Sequence, residues 1–247
     1  MRQFIFTLLL PLSSFAQTIS TNTNAWLHYM GTFQFHPKWS SSFETSIRGA
    51  NVTQEFQQFF LRPSIDYKVS SRFTTSLGYT YVLTGVYGEP ALNKRNMHEN
   101  HAWIQAQLNT PIKKTNLTHR WRNESRWVFI NEDEPYAYRN RMRYMLILNQ
   151  PLAQSLFSIL AGNEVFLNMG KNAGKTLLNQ NRIIAGLAYK FNPRNQVQLA
   201  YIHQTIKNFN NTIQENNATI RLSYVSRVEL LKKRETPTLS PRILSSL

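Results

Sequence analysis

From Arg120 to Arg126, and again from Arg139 to Arg143, every second residue is charged. Successive side chains of an extended strand point to opposite sides, so Arg120, Arg122, Glu124 and Arg126 share one face, while Trp121, Trp127 and Phe129 share the other. Arg139, Arg141 and Arg143 repeat the pattern on the next strand. Side by side, the two strands make a sheet with an arginine and glutamate ladder on one face and an aromatic and aliphatic surface on the other. What such a sheet can become depends on which face meets water.

The rest of the chain repeats this grammar. From Asn24 onward it resolves into segments of about 10 to 14 residues with period-two alternation, the length a tilted strand needs to cross a bilayer. They are Ala25 to Phe35, Trp39 to Asn51, Phe59 to Val69, Arg72 to Leu83, Met97 to Asn109, Asn116 to Ile130, Ala137 to Asn149, Leu156 to Asn168, Leu178 to Phe191, Asn195 to Ile206 and Glu215 to Ser226. The alternation is clearest at Phe73, Thr75, Leu77, Tyr79 and Tyr81 against Thr74, Ser76, Gly78 and Thr80. Tight turns such as His36-Pro37-Lys38, Ser70-Ser71 and Asn192-Pro193-Arg194 interleave with other loops, of which Thr84 to Asn96 and Met169 to Thr176 are the longest. Short turns on one rim and longer loops on the other match outer-membrane barrels.

These features predict an all-β, antiparallel transmembrane β-barrel of about 10–12 strands with an Arg/Glu lumen and an apolar, aromatic exterior. The segments number eleven, and because single-chain bacterial barrels have even strand numbers, ten or twelve is expected. A further strand would come from the polar lead Thr18 to Thr23 or from the tail. A soluble exported barrel or sandwich, with aromatics inside and arginines in solvent, shares the same periodicity.

Met1-Arg2-Gln3, the apolar run Phe4 to Leu12 and the small residues Ser14 and Ala16 read as a signal peptide over residues 1–16. The barrel then spans 17–226, and 227–247, with Lys232-Lys233-Arg234, reads as a disordered basic tail. An exported chain of this kind is expected in the bacterial outer membrane, with outer-membrane lipids and the barrel-assembly machinery as partners. The formal charge is +15, of which the leader removes one charge, Arg2. Such an excess implies anionic neighbours, lipid headgroups or anionic solutes, and no nucleic-acid motif accompanies it. The chain has no cysteine, which excludes a disulfide scaffold and any thiolate site.

The early Trp26 strand, Ser46-Ile47-Arg48, Phe59-Phe60-Leu61-Arg62-Pro63, Leu77-Gly78-Tyr79-Thr80-Tyr81, His119 to Arg126, Tyr138 to Tyr144, Asn163-Glu164 and Gln180-Asn181-Arg182 together resemble an exported bacterial family, domain of unknown function 2490. The resemblance covers nearly the whole mature chain. It implies an outer-membrane β-barrel and no particular activity.

In lipid, each mid-plane arginine would cost about 2–4 kcal/mol, so a membrane barrel turns this face inward. The lumen-facing ladder is then Arg48, Arg62, Arg120, Arg122, Glu124, Arg126, Arg139, Arg141, Arg143, Glu164 and Arg182, with Arg221 on the same side and Glu44, Asp66 and Glu99 as further partners. Three roles stay open: a structural or anion-binding barrel filled by ion pairs, a narrow anion-selective channel, or an outer-membrane lipid hydrolase. The last needs a serine and a histidine in contact. His119 and Ser125 share a face but lie about 20 Å apart along a strand. His98-Glu99-Asn100-His101 resembles a metal motif, yet on a strand its histidines diverge. Neither a catalytic residue, a metal nor a cofactor is expected.

Overall fold

The computed structural model describes residues 18–129 and 136–231, and in it eleven strands close into one barrel. They are β1 (Thr18–Gln34), β2 (Trp39–Ala50), β3 (Glu55–Lys68), β4 (Phe73–Thr84), β5 (Met97–Ile112), β6 (Thr115–Phe129), β7 (Ala137–Pro151), β8 (Phe157–Met169), β9 (Leu178–Asn192), β10 (Asn195–Lys207) and β11 (Ile213–Glu229). Sequence neighbours pair antiparallel all the way round. β11 returns to β1 in a parallel seam that runs from Thr18 opposite Ile213 to Gln34 opposite Glu229.

The even count expected from sequence is therefore corrected to eleven among the described residues, and the all-antiparallel ladder to one with a single parallel pair. An odd number leaves the first and last strands pointing the same way, and a parallel ladder satisfies their edges as an antiparallel one would. The polar lead Thr18 to Thr23 is the first part of β1 and not a further strand. Ser20, Asn22 and Asn24 turn inward there, and Asn22 donates to Asn217 across the seam at 3.1 Å. β11 continues past Ser226 because Arg227 N and Leu230 N still find Arg194 O and Gln34 O, each at 2.8 Å. The leader, and the tail from Lys232 onward, lie outside the described residues.

The wall is sorted by period two. Leu77 is 64% exposed on the outer surface, as are Leu27, Ile47, Ile104, Ile183 and Leu199 to similar degrees, whereas Glu124 is 0% exposed inside. The soluble arrangement, aromatics within and arginines in solvent, is not the one adopted. The lumen is nevertheless not purely polar. Trp26, Phe60, Trp103 and Phe166 are buried in it, and Trp26 joins Ile184, Ala200 and Ile202 in a small apolar cluster.

The turns 35–38, 69–72, 113–114, 152–156 and 193–194 gather on one rim. The opposite rim carries 51–54, 85–96, 170–177 and 208–212, which include the longest connections among the described residues. Loop 85–96 folds inward across this second rim. Gly88 makes that possible: it takes φ +73°, and a Cβ there would collide with the Asn22 side chain.

Candidate functional site, an arginine-lined lumen

Four glutamates organise the lumen. On β6, Glu124 accepts Arg141 through Nε at 2.8 Å and Nη2 at 2.5 Å, and Arg143 Nη1 at 2.7 Å. Arg143 reaches onward with its other edge to Glu164 on β8, at 3.2 and 2.7 Å, and Glu164 also receives Arg120 at 2.8 Å and Arg182 at 3.3 Å. Two carboxylates thus tie together four arginines from β6, β7 and β9. Glu99 on β5 holds Arg126 through Nε and Nη2, and His101 Nε2 lies 2.8 Å from it. Glu44 on β2 takes Arg62 at 2.7 Å and lies 3.0 Å from His28 Nε2.

The strand register alone would set like charges face to face. Arg122 is paired opposite Arg143, and Arg126 opposite Arg139. Directly opposed like charges destabilise a sheet, and the side chains resolve this by reaching sideways. Arg122 turns its Nε and Nη2 to Gln105 Oε1 at 2.9 and 2.6 Å and lies 4.2 Å above the Trp103 ring. Trp103 can lie there because its neighbour across β4 is Gly78, where any Cβ would strike the indole. Arg139 leaves Arg126 and lies 4.2 Å from the Phe209 ring at the loop rim.

Aromatic rings lie against several of these cations and against Arg48. Arg62 and Arg48 stand 4.5 and 4.9 Å from Phe60, and Arg48 is 4.0 Å from Trp26. Arg182 is 5.2 Å from Trp26 and 4.9 Å from Phe166, with Arg143 at 4.6 Å from the same ring. Face-on contact with a π system is a stable place for a guanidinium in a desolvated interior. Indole and phenyl faces therefore back guanidinium groups that glutamates also hold, and they support Arg48, which none of the four glutamates pairs with.

Two cavities run through this network. A central one of about 380 Å³ is lined by eight arginines and three glutamates and extends to Asn116 and Asn149 near the short-turn rim. A second, of about 510 Å³, opens at the loop rim beside Lys94, Arg95, Arg139 and Phe209 and shares Glu99, Arg126 and Arg141 with the first. Loop 85–96 narrows the junction. Tyr87, which lines both cavities, is 8% exposed and donates its hydroxyl to Glu215 at 3.1 Å. Burial pushes its phenol pKa upward, so it stays a donor. Gly88 N donates to Glu55 and Ser20 Oγ to Glu89 O, fixing the loop to β3 and β1.

The ladder residues read from sequence fall as follows. Arg48, Arg62, Arg120, Arg126, Arg141, Arg143, Glu164 and Arg182 line the central cavity, Arg139 lines its mouth, and Arg122 and Glu124 are buried behind them. Arg221 lines the central cavity, while Asp66 accepts from Ser42 and Ser64 away from any arginine. Period-two reading did not single out the amides Gln58, Gln105 and Gln180, or the ring supports Trp26, Phe60, Trp103 and Phe166. Their signal was available only as inward parity, since their types suit either face.

The remaining candidates separate. His119 Nδ1 lies 2.9 Å from the Tyr144 hydroxyl and Ser125 Oγ 3.1 Å from that of Tyr138, so the two have different partners. His98 stacks on Phe129 at 4.7 Å while His101 lies in the lumen, and no cluster of metal-ligating residues occurs among the described residues. A cross-strand serine and histidine do approach. Ser223 Oγ is 3.5 Å from His28 Nδ1, whose other nitrogen faces Glu44. At that length the contact is marginal, and Ser223, 2% exposed, is closed to a substrate.

No curated protein matches this chain. A solved structure described as the NanC porin in a rhombohedral crystal form is similar, with a TM-score of 0.49 and 12% identity over 82% of this chain and 98% of that one. The family model described as protein of unknown function (DUF2490) matches residues 23–216, a range that runs from within β1 to the start of β11, and the chain belongs to that family.

Proposed function

We propose that this chain is a bacterial outer-membrane β-barrel whose lumen is a narrow passage for small anions. The observation that carries this reading is the excess of cations on a cavity wall that extends from one rim toward the other: eight arginines against three glutamates. The apolar outer wall, with Leu77, Ile104 and Leu27 each at least 60% exposed, supports a lipid surround, where such exposure is favourable and in water is not. Rings of arginine favour anions in pores because their field replaces part of the lost hydration. The glutamates serve to hold guanidinium groups in fixed positions while leaving the wall cationic.

The test is single-channel recording of the refolded full mature chain in a planar bilayer, with the reversal potential measured across a potassium chloride gradient. Steady steps that reverse toward the chloride potential are expected. A cation-selective pore would overturn the reading. A silent barrel that still shifts on a gel when heated would make the lumen an ion-paired, anion-binding interior without a path.

A further inference from the structure

An arginine presents its strongest recognition surface edge-on, where Nε–H and Nη2–H form a fork that matches the two oxygens of a carboxylate or phosphate. In this lumen five forks are taken. Arg126, Arg141 and Arg143 place theirs on glutamate, and Arg122 places its own on Gln105. With the Gln180 amide oriented to present its oxygen, Arg182 donates its fork there at 2.8 and 2.9 Å.

Two are different. Arg48 donates Nη1 to Gln58 at 2.6 Å and leaves its buried Nε without a partner. Arg221 has no hydrogen bond or ion pair among the described residues, and its Nε is likewise buried and unpartnered. Both line the central cavity, and both lie opposite Trp26 in register, one on each side. Two strand spacings separate their Cα atoms, about 10 Å, a distance two arginine side chains close readily on one ligand. The carboxylate that acts on both, Glu44, is already engaged by Arg62 and His28. Buried donors without acceptors are costly, and a built cavity beside them is where an acceptor would sit.

We infer that Arg48 and Arg221 form a discrete oxyanion site at mid-lumen, taking a carboxylate or phosphate group between their free Nε edges. The inference rests on the anion-passage reading for its ligand's route, but not for the site itself. A lysine would supply the same charge without the fork, which separates a fixed site from general attraction.

The full mature chain, refolded in detergent, is titrated calorimetrically with inorganic phosphate and, separately, with acetate, at constant chloride. Saturable binding of one equivalent is expected, weakened at least about tenfold in Arg48→Gln and in Arg221→Gln, the loss that goes with one charge-assisted hydrogen bond. Arg221→Lys, which keeps the charge without the fork, should lose binding to a similar extent. Arg194→Gln, at the rim beside Glu229, should change neither the phosphate affinity nor the reversal potential in a bilayer. Binding that is absent for both probes, or unaltered by both glutamine variants, overturns the site even if the pore selects anions. Binding that depends on Arg48 and Arg221 in a barrel that conducts nothing keeps the site and removes the passage. Retained heat-modifiable mobility of each variant keeps misfolding apart from lost binding.

Discussion

Trp26 and Arg221, the middle residues of β1 and β11, lie directly opposite each other in the parallel seam that closes the barrel. A hairpin sets the register of every other neighbouring pair, but β1 and β11 are the two ends of the chain and must find each other through side chains. Inside the wall, Asn22 donates to Asn217 at 3.1 Å, and Asn217 in turn donates to Glu215 at 3.1 Å. Outside it, Tyr29 stacks on Tyr224 at 5.9 Å and meets Ser226 at 3.0 Å. A slip of one residue would send this whole polar row to the outer face.

Asn217→Val removes both inner bonds at once and leaves Asn22 and Glu215 buried with fewer partners. A loss of about 1–3 kcal/mol is expected, the usual penalty for stranding a buried polar group. The midpoint of urea unfolding in detergent measures it, and an unchanged midpoint would mean that the outer aromatic pair alone sets the seam.

Glu124→Gln should be more damaging. Glu124 is 0% exposed and accepts three hydrogen bonds from Arg141 and Arg143, so the amide would leave two buried guanidinium groups short of a counter-charge. Breaking one side of such a buried pair costs about 3–5 kcal/mol. Arg221→Leu is the informative contrast. That guanidinium has no partner to lose, so the variant should unfold at the same urea concentration or a higher one. Equal damage from both substitutions would show that the free arginine is structural after all.

Much of this was legible in the ladder itself. Alternation at Arg120, Arg122, Glu124 and Arg126 implied one charged face, and the cost of arginine in lipid implied that it turns inward. Segment limits were readable where apolar residues alternate, as in β4 and β6. They were not where both faces are polar, so the first residues of β1, with Ser20, Asn22 and Asn24 inside, read as a lead. The eleven segments were each legible, and only the expectation of an even number failed, because parity is a habit of known barrels while closure needs only matched edges. Which arginine pairs with which glutamate was beyond the sequence, because partners such as Arg120 and Glu164 sit on strands that are not neighbours. Local alternation carries no information about contacts across a lumen.

Loop 85–96 sets the width of the mouth. Tyr87→Ala removes both the ring at the cavity junction and the hydrogen bond to Glu215, and releases a loop otherwise held by Gly88 N and Glu89 O. Larger single-channel steps are expected with the sign of the reversal potential unchanged, because the arginines below the junction stay in place. Steps of the parent size would mean that the narrowest point lies deeper, among Arg141, Arg143 and Glu164.

The outer wall gives the sharpest test of where the protein resides. Leu27 follows Trp26 at the midpoint of β1, is 60% exposed, and points away from the lumen. In a bilayer that position meets the hydrocarbon centre, where an arginine costs about 2–4 kcal/mol, falling toward zero near the interfaces. Leu27→Arg should therefore fold poorly into phospholipid vesicles, whereas Val69→Arg, 51% exposed in the turn 69–72, should fold as the parent does. Folded yield by heat-modifiable mobility reads both. In water neither substitution should matter, since the arginine would gain solvation in place of an exposed aliphatic side chain. Equal folding of the two variants in vesicles would mean that lipid does not surround the barrel at the height of Leu27.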